Sequence, residues 1–345
     1  MKWIRACSRV TDGYPEAHLP PMAATIETPP RILLTGITGQ LGWELLRELP
    51  ALGEVVAASR TGESPLPGVK AIALDFSQPG LLGKQVREIR PDLIVNAAAY
   101  TAVDRAEAEG SLAMTVNAEA PGVLAREAKR LGALLIHFST DSVFDGLAGH
   151  SYGEDDAPRP LNAYGKTKLA GEQAIQAAGA DHLIFRICWV YGGRGNNFLR
   201  TMLRLFTGRD SLNIVDDQWG TPNWCAMLAR AVAGMLAGGG ENDFRELKAV
   251  SGLYHLSAQG KTNWHGFARA IHACLPREHA PRCRLLPVDS SNYPQAAQRP
   301  GDVKLDTGKA ESVLGVSLPS WEEMLRAFWR EEGAALLDEF GMRQG

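Results

Sequence analysis

Cysteine is scarce and poorly spaced for cross-linking. The 345 residues hold five: Cys7, Cys188, Cys225, Cys274 and Cys283. Their odd number and the lack of any C-x-x-C pair exclude a disulfide framework and a paired-cysteine zinc site, and suit reduced thiols in a cytoplasmic protein. Long apolar runs are missing too. None approaches the roughly 20 residues that cross a bilayer, so no membrane span is expected. Basic clusters are also absent. The formal net charge is -3, and without a Lys/Arg stripe nucleic acid is excluded as a partner.

Residues 1–29 have no helical or strand period, and they carry Pro15, Pro20, Pro21 and Pro29. A few positive charges follow Met1. No apolar run of about 7–15 residues comes after them, so the segment reads as a flexible extension and not a secretory signal. Met22 serves equally well as a start.

With 45% hydrophobic residues, the chain has apolar material for a large core, and its length suits two closely associated domains. From Arg31 onward the pattern turns regular. Short apolar runs at 32–34, 55–58, 69–74, 93–97, 134–138 and 183–187 alternate with helical spacing at 41–49, 81–89 and 114–131. Such alternation predicts βαβ crossovers and a parallel α/β sheet. Beyond Gly195 it weakens, and Trp, Gly and Pro become frequent. The expected division is a nucleotide-binding domain over 30–195 and a smaller, mixed, mainly substrate-binding domain over 196–335, with some segments of the latter returning to the first. The second would cover the carboxyl ends of the strands, where open sheets bind ligands.

Gly36, Gly39 and Gly42 frame the loop Gly36-Ile37-Thr38-Gly39-Gln40-Leu41-Gly42 between the first strand and first helix. In that context glycines let backbone N–H groups approach a pyrophosphate, and the helix amino end favours its charge. The domain is therefore expected to be a doubly wound sheet of Rossmann type. NAD-binding folds place a carboxylate about 20 residues further on, to hold the ribose 2′-hydroxyl. Here the second strand ends at Ser59-Arg60. Arg60 would attract a 2′-phosphate and Ser59 could hydrogen-bond it, which predicts NADPH, with NADH as the alternative. Asp75-Phe76, after the third strand, is expected near the adenine.

Tyr164 and Lys168 stand four residues apart at the start of a predicted helix, so they share a face that Lys166 does not. An ammonium beside a phenol favours the phenolate and lowers its pKa. The tyrosine can then give a proton to a carbonyl oxygen as hydride arrives at the carbon. Lys168 can also bind the nicotinamide ribose. Thr140, at the end of the preceding strand in Ser139-Thr140-Asp141, is the natural third member. Tyr-x3-Lys alone is common. The glycine loop, the strand-end Ser-Thr and this pair in that order are jointly specific.

These motifs resemble the extended short-chain dehydrogenase/reductase superfamily, and within it the dTDP-4-dehydrorhamnose reductase family. The likeness runs from about 31 to 330. It also rests on 96–104, on Phe144-Asp145-Gly146, on Trp189-Val190-Tyr191-Gly192, on Asn196-Asn197-Phe198 and on 217–222. The remaining stretches are 252–256, Arg299-Pro300 and Leu305-Asp306. The resemblance implies cofactor contacts at Gly39-Gln40-Leu41, Asp75-Phe76 and the Ala97, Ala98, Ala99, Tyr100, Thr101 segment. It implies that Thr140, Asp141, Tyr164 and Trp189 surround a dTDP-sugar whose C4 keto group is reduced. An indole at 189 would offer a flat apolar wall and one N–H donor. The family also implies a homodimer and, in some members, Mg²⁺ at a dimer contact. No ligand cluster demands a metal here, and Glu44 is the position to inspect.

The chain departs from the family at two places: Ser142 stands where a tyrosine is usual, and Val303-Lys304 stand where a serine is frequent. Two other readings remain. One is another sugar-nucleotide reductase or epimerase. A dehydratase would need a second carboxylate after Asp141, and Ser142 is there instead. The other is a non-catalytic NADP-binding regulatory subunit, against which Thr140, Tyr164 and Lys168 stand together.

Overall fold

In the computed structural model the apolar runs form strands buried on both faces, as a parallel sheet between helix layers requires. The structure describes residues 29–238, 244–275 and 283–342. The proposed extension up to residue 28, with Cys7 and Met22, lies outside the described residues. Six strands follow in sequence: β1 (Arg31–Thr35), β2 (Glu54–Ser59), β3 (Ala71–Ala73), β4 (Leu93–Asn96), β5 (Leu134–Thr140) and β6 (His182–Ile187). A seventh, β7 (Gly252–His255), pairs with β6 from far along the chain. All pairings are parallel, in the order β3-β2-β1-β4-β5-β6-β7. The order reverses between β1 and β4. At that switch point the loops part, and their carboxyl ends leave a crevice.

The helices end where the sequence changes chemistry. Helix α1 (Gln40–Glu48) gives way to a 3₁₀ turn containing Pro50. Helix α2 (Pro79–Ile89) ends on Arg90 in the left-handed region, at φ 53°. Helix α3 (Ala120–Leu131) and helix α4 (Ala163–Ala178) end on Gly132 and Gly179, whose positive φ costs a glycine little.

The helical run expected over 114–131 is present but not uniform. Thr115–Glu119 forms a π-helical turn before α3. Pro121 lacks the N–H that would bond the carbonyl four residues earlier. That carbonyl belongs to Asn117, and it packs where a Cβ on Gly171 of α4 would lie 2.1 Å away. The bulge thus seats α3 against α4, and it turns the Asn117 side chain toward the crevice.

The later part of the chain is mixed. Ser211–Val215 pairs in parallel with Arg284–Val288, Val190–Tyr191 with Asn223–Trp224, and Trp219–Gly220 antiparallel with Thr262–Asn263. Its helices include α5 (Phe198–Phe206), α6 (Cys225–Gly238), α7 (Trp264–Ala273) and α8 (Trp321–Glu331). Helix α6 packs on α1. One hydrophobic cluster runs from Leu34 and Phe185 of the sheet through Leu203 and Phe267 to Phe328. The segments after 195 therefore share the core of the central sheet. Among the described residues no helix is long and apolar enough to cross a membrane.

Candidate active site

The glycine loop is built for close approach. Gly36 sits at φ 74°, and a Cβ there would lie 2.5 Å from the Ala98 nitrogen. A Cβ on Gly42 would lie 2.1 Å from the Gly36 carbonyl oxygen. Gly39 caps α1 without a side-chain partner, so the first N–H groups of the helix face the crevice uncovered by protein side chains. Gln40 is tied across the site, because Asn197 Nδ2 donates to its Oε1 at 2.8 Å. Leu41 is buried beneath the loop.

At the end of β2, Ser59 is buried and its Oγ has no partner. Arg60 beside it is exposed. An orphaned hydroxyl, an uncapped helix end and a loop that only glycine can form fit a dinucleotide, with Arg60 free to meet a 2′-phosphate. Asp75 and Phe76 follow β3 beside the end of β2, where the Leu74 N–H donates to the Ser59 carbonyl at 2.8 Å. Asp75 already accepts from the Ser77 backbone N–H at 2.9 Å, from Ser77 Oγ at 2.8 Å and from Gln78 Nε2 at 3.1 Å, so its carboxylate holds the turn into α2. The Phe76 ring is in the core with Leu82 and Leu124. On the other wall, Ala97 to Tyr100 are half-buried and Thr101 is exposed. Asn117 pins this segment: it accepts from the Tyr100 N–H at 2.8 Å, and its Nδ2 donates to the Tyr100 carbonyl at 3.1 Å and to Thr167 Oγ at 3.0 Å.

Thr140 and Asp141 are buried at the carboxyl end of β5. Helix α4 begins beside them. Asn162 caps it by accepting from the Gly165 N–H at 2.8 Å. A Cβ on Gly165 would lie 2.2 Å from the Ser142 carbonyl oxygen, so glycine after Tyr164 lets the helix start against β5. Tyr164, Lys168 and Thr140 converge there, and Lys166 is exposed.

The electrostatics of the pair differ from expectation. Burial pushes the Tyr164 hydroxyl up to about 12, with the Thr140 hydroxyl lowering it and Asp141 raising it further. The Lys168 Nζ turns to the Phe138 carbonyl at 2.7 Å and stands 3.1 Å from His137 Nε2. Burial brings the lysine down to about 8, against Glu172, which raises it. The expected phenolate-stabilising charge is therefore engaged elsewhere.

Asp141 is held by neighbours. Cys188 Sγ donates to its Oδ2 at 2.6 Å and Thr140 Oγ to its Oδ1 at 3.1 Å. Burial pushes the carboxyl above its ordinary range. Trp189 follows Cys188 at φ 26°, a strained value for a bulky residue. Asn223 enforces it, donating its N–H to the Trp189 carbonyl at 2.9 Å and its Nδ2 to the Cys188 carbonyl at 2.8 Å. The half-buried indole stacks on Trp264, with ring centroids 3.5 Å apart. A Cβ on Gly220 would lie 2.5 Å from it. The wall expected for the sugar is thus a stacked pair with one face already covered. Ser142 is half-buried and donates weakly to Asp141 at 3.4 Å. Val303 packs in a small core with Phe144, Tyr152 and Leu305.

Sequence reasoning passed over Asn96, Asn117, His137, Glu172, Arg186, Cys188 and Trp264. One signal was available for His137: a polar residue inside the apolar run Leu134-Leu135-Ile136-His137-Phe138 must find buried partners. Arg186, inside Leu183-Ile184-Phe185-Arg186-Ile187, carries the same mark, and Glu172 carries none. Which partner each finds is decided by the packing of α4 on β6, where Arg186 donates to Glu172 at 2.9 and 2.7 Å.

Glu44 is buried, and its carboxyl is pushed up to about 7 by burial and by Glu332, against Arg47 and Arg230. Glu332 already accepts from the Gly193 N–H and from Trp224 Nε1. Among the described residues no group of three or more His, Cys, Asp or Glu could hold a metal ion.

Comparison with known proteins agrees with the fold and the motifs. The family model described as the RmlD substrate binding domain matches residues 30–333. The dTDP-4-dehydrorhamnose reductase of Burkholderia thailandensis is 44% identical over 299 residues, 84% of this chain and 95% of that protein. The protein of the same description from Escherichia coli K12 is 42% identical over 293 residues, 84% of this chain and 94% of its own length. The crystal structure of the Bacillus anthracis protein of that description, in complex with NADP, superposes with a TM-score of 0.77 at 32% identity. It covers 88% of this chain and 99% of its own.

Proposed function

The chain belongs to the dTDP-4-dehydrorhamnose reductase family, and on that premise we propose that its crevice carries out the NADPH-dependent reduction of the C4 keto group of dTDP-4-dehydro-L-rhamnose to dTDP-L-rhamnose. The observation that carries the residue roles is the meeting of Thr140, Tyr164 and Lys168 at the carboxyl end of β5, across the switch point from the glycine loop.

NADPH, when bound, supplies the hydride. Gly36, Gly39 and Gly42, with the amino end of α1, bind its pyrophosphate, and Ser59 and Arg60 select the 2′-phosphate. Asn117 and Ala97 to Tyr100 form the wall beneath the nicotinamide, and Lys168 reaches its ribose. Tyr164 is the general acid. With its hydroxyl pushed up to about 12, it keeps its proton until negative charge develops on the C4 oxygen. Thr140 donates to the same oxygen, Asp141 binds a sugar hydroxyl, and Trp189 packs against the sugar's C–H face.

The described cysteines, Cys188, Cys225, Cys274 and Cys283, are all free, which supports a reducing, cytoplasmic setting as part of this reading. Family membership supports a homodimer.

The test follows NADPH absorbance with purified protein and dTDP-4-dehydro-L-rhamnose. Oxidation that depends on the sugar nucleotide is expected, faster with NADPH than with NADH. No turnover with either cofactor would sink the reading.

A further inference from the structure

Asn162 makes contacts in two directions, and only one of them belongs to its helix. It is buried, two residues before Tyr164. Its Oδ1 accepts from the Gly165 N–H at 2.8 Å, which caps α4. Its Nδ2 donates to the Gln298 carbonyl at 2.8 Å, 136 residues along the chain. A backbone N–H needs an acceptor and a carbonyl needs a donor, so the two partners fix which way the amide lies. A cap alone needs just the acceptor, which serine or aspartate supplies as well. The NH₂ group is what asparagine adds here.

Gln298 belongs to a strap, residues 297–302, fastened at both ends. Its start is held by the nucleotide-binding half. Asp104, in the first turn of the short helix Val103–Ala108, accepts from the Ala297 N–H at 3.0 Å and from Arg299 Nη2 at 2.8 Å. Its far end is held on the side of Trp189. The Trp219 N–H donates to the Gly301 carbonyl at 2.7 Å, the Asp302 N–H donates to the Gly146 carbonyl at 3.3 Å, and Lys261 Nζ meets Asp302 at 2.6 Å. A Cβ on Gly146 would lie 2.7 Å from both the Gly301 and the Asp302 nitrogens, so these segments touch backbone to backbone. Trp219 precedes Gly220, against which the Trp189 indole packs.

We propose that Asn162 is a positioning residue: its Nδ2 holds the strap against the head of the catalytic helix and so sets the width of the crevice between Tyr164 and Trp189. Asn162 is 2% exposed and acts through the strap, not by touching a ligand. The neighbouring Asp104–Arg299 pair is 48% and 23% exposed, so water competes for it. The buried amide is the drier of the two fastenings. The effect on substrate rests on the proposed reductase reading; the tie between the two segments does not.

The experiment compares the full-length protein with Asn162→Asp and Asn162→Ser. Both keep an oxygen for the Gly165 N–H. Neither can also donate to the Gln298 carbonyl, because aspartate has no proton to give near neutral pH and serine's one oxygen sits at the cap. Hydrogen–deuterium exchange without ligand reads the two segments separately. The Ala297, Asp302 and Val303 amides donate to Asp104, Gly146 and Trp219. They should exchange about three- to tenfold faster in both variants, the scale of one lost hydrogen bond, while α4 keeps its protection. Unchanged exchange in the strap overturns the proposal, and so does lost protection in α4 alone, which would make Asn162 a cap and nothing more.

In the reductase assay the same variants should raise KM for dTDP-4-dehydro-L-rhamnose by about three- to tenfold, with kcat, the NADPH Kd and Tm close to those of the unaltered protein. Asp104→Ala, which undoes the neighbouring fastening, should act in the same direction. A parallel loss of kcat, NADPH affinity and Tm would mark Asn162 as merely structural and refute the positioning role. Hydrogen exchange needs no turnover, so failure of the tie and failure of the reductase reading are separate results.

Discussion

Arg186 and Glu172 form an ion pair under the active site, and its removal has a magnitude the structure sets. Both side chains are 2% exposed. Arg186 Nε and Nη2 meet the two carboxylate oxygens at 2.9 and 2.7 Å, and Ser139 Oγ donates to the same carboxylate. The guanidinium also lies 4.9 Å from the centre of the Phe144 ring. Arg186→Met deletes both charged hydrogen bonds and leaves Glu172 ionised in the core with Ser139 as its remaining donor. Breaking one side of such a buried pair costs about 3–5 kcal/mol. For a chain of this size that corresponds to a fall in Tm of roughly 4–7 °C. Glu172→Gln, which strands the guanidinium, should cost a similar amount. The double variant Arg186→Met/Glu172→Leu should recover most of the loss, because replacing both charges by apolar groups is about neutral. Urea unfolding followed by circular dichroism gives the three values and their coupling. A single variant that costs less than about 1 kcal/mol, the scale of an exposed pair, would mean that water reaches the pair, and the assignment of a dry, load-carrying contact would be wrong.

Tyr164→Phe should lower kcat by roughly 10²-fold or more while NADPH binding, followed by fluorescence titration, is retained; an unchanged kcat removes the tyrosine as acid. Arg60→Ala should weaken NADPH by about tenfold or more, the scale of a lost charge-assisted contact, and leave NADH nearly unaffected, whereas equal losses would refute the 2′-phosphate assignment. His255 is fully buried, and burial with Arg186 nearby lowers it from 6.5 to about 4. The unfolded chain therefore binds a proton at this position before the folded one does, and stability should fall by about 3 kcal/mol as pH drops from about 6.5 to 4. Urea midpoints measured across that window should depend less steeply on pH in His255→Gln, and an equal slope would remove His255 as a source of acid sensitivity.

Much of the nucleotide-binding half was legible because its signals are local. A glycine loop between an apolar run and a helical pattern needs no distant partner to be recognised, and Gly36 and Gly42 have backbone where side chains would clash. Tyr164 and Lys168 are four residues apart on one helix, so their common face follows from helix geometry. The same local reading does not reach the packing of the Phe76 ring or the electrostatics of Tyr164, since both depend on what lies behind the residue. Phe76 turns into the core, and Lys168 turns toward His137 and the Phe138 carbonyl.

The chain's own order determined the alternating sheet, the phosphate loop, the Ser59-Arg60 strand end and the Tyr-x3-Lys pair, because each is written within a few residues. Tertiary structure alone decided which groups stand beside them. It brought β7 back to the central sheet from residue 252, stacked Trp264 on Trp189, placed Arg186 on Glu172 and set His137 between Asn96 and Lys168. Those contacts join residues on different elements, and burial then sets their charge states, which periodicity and spacing do not encode.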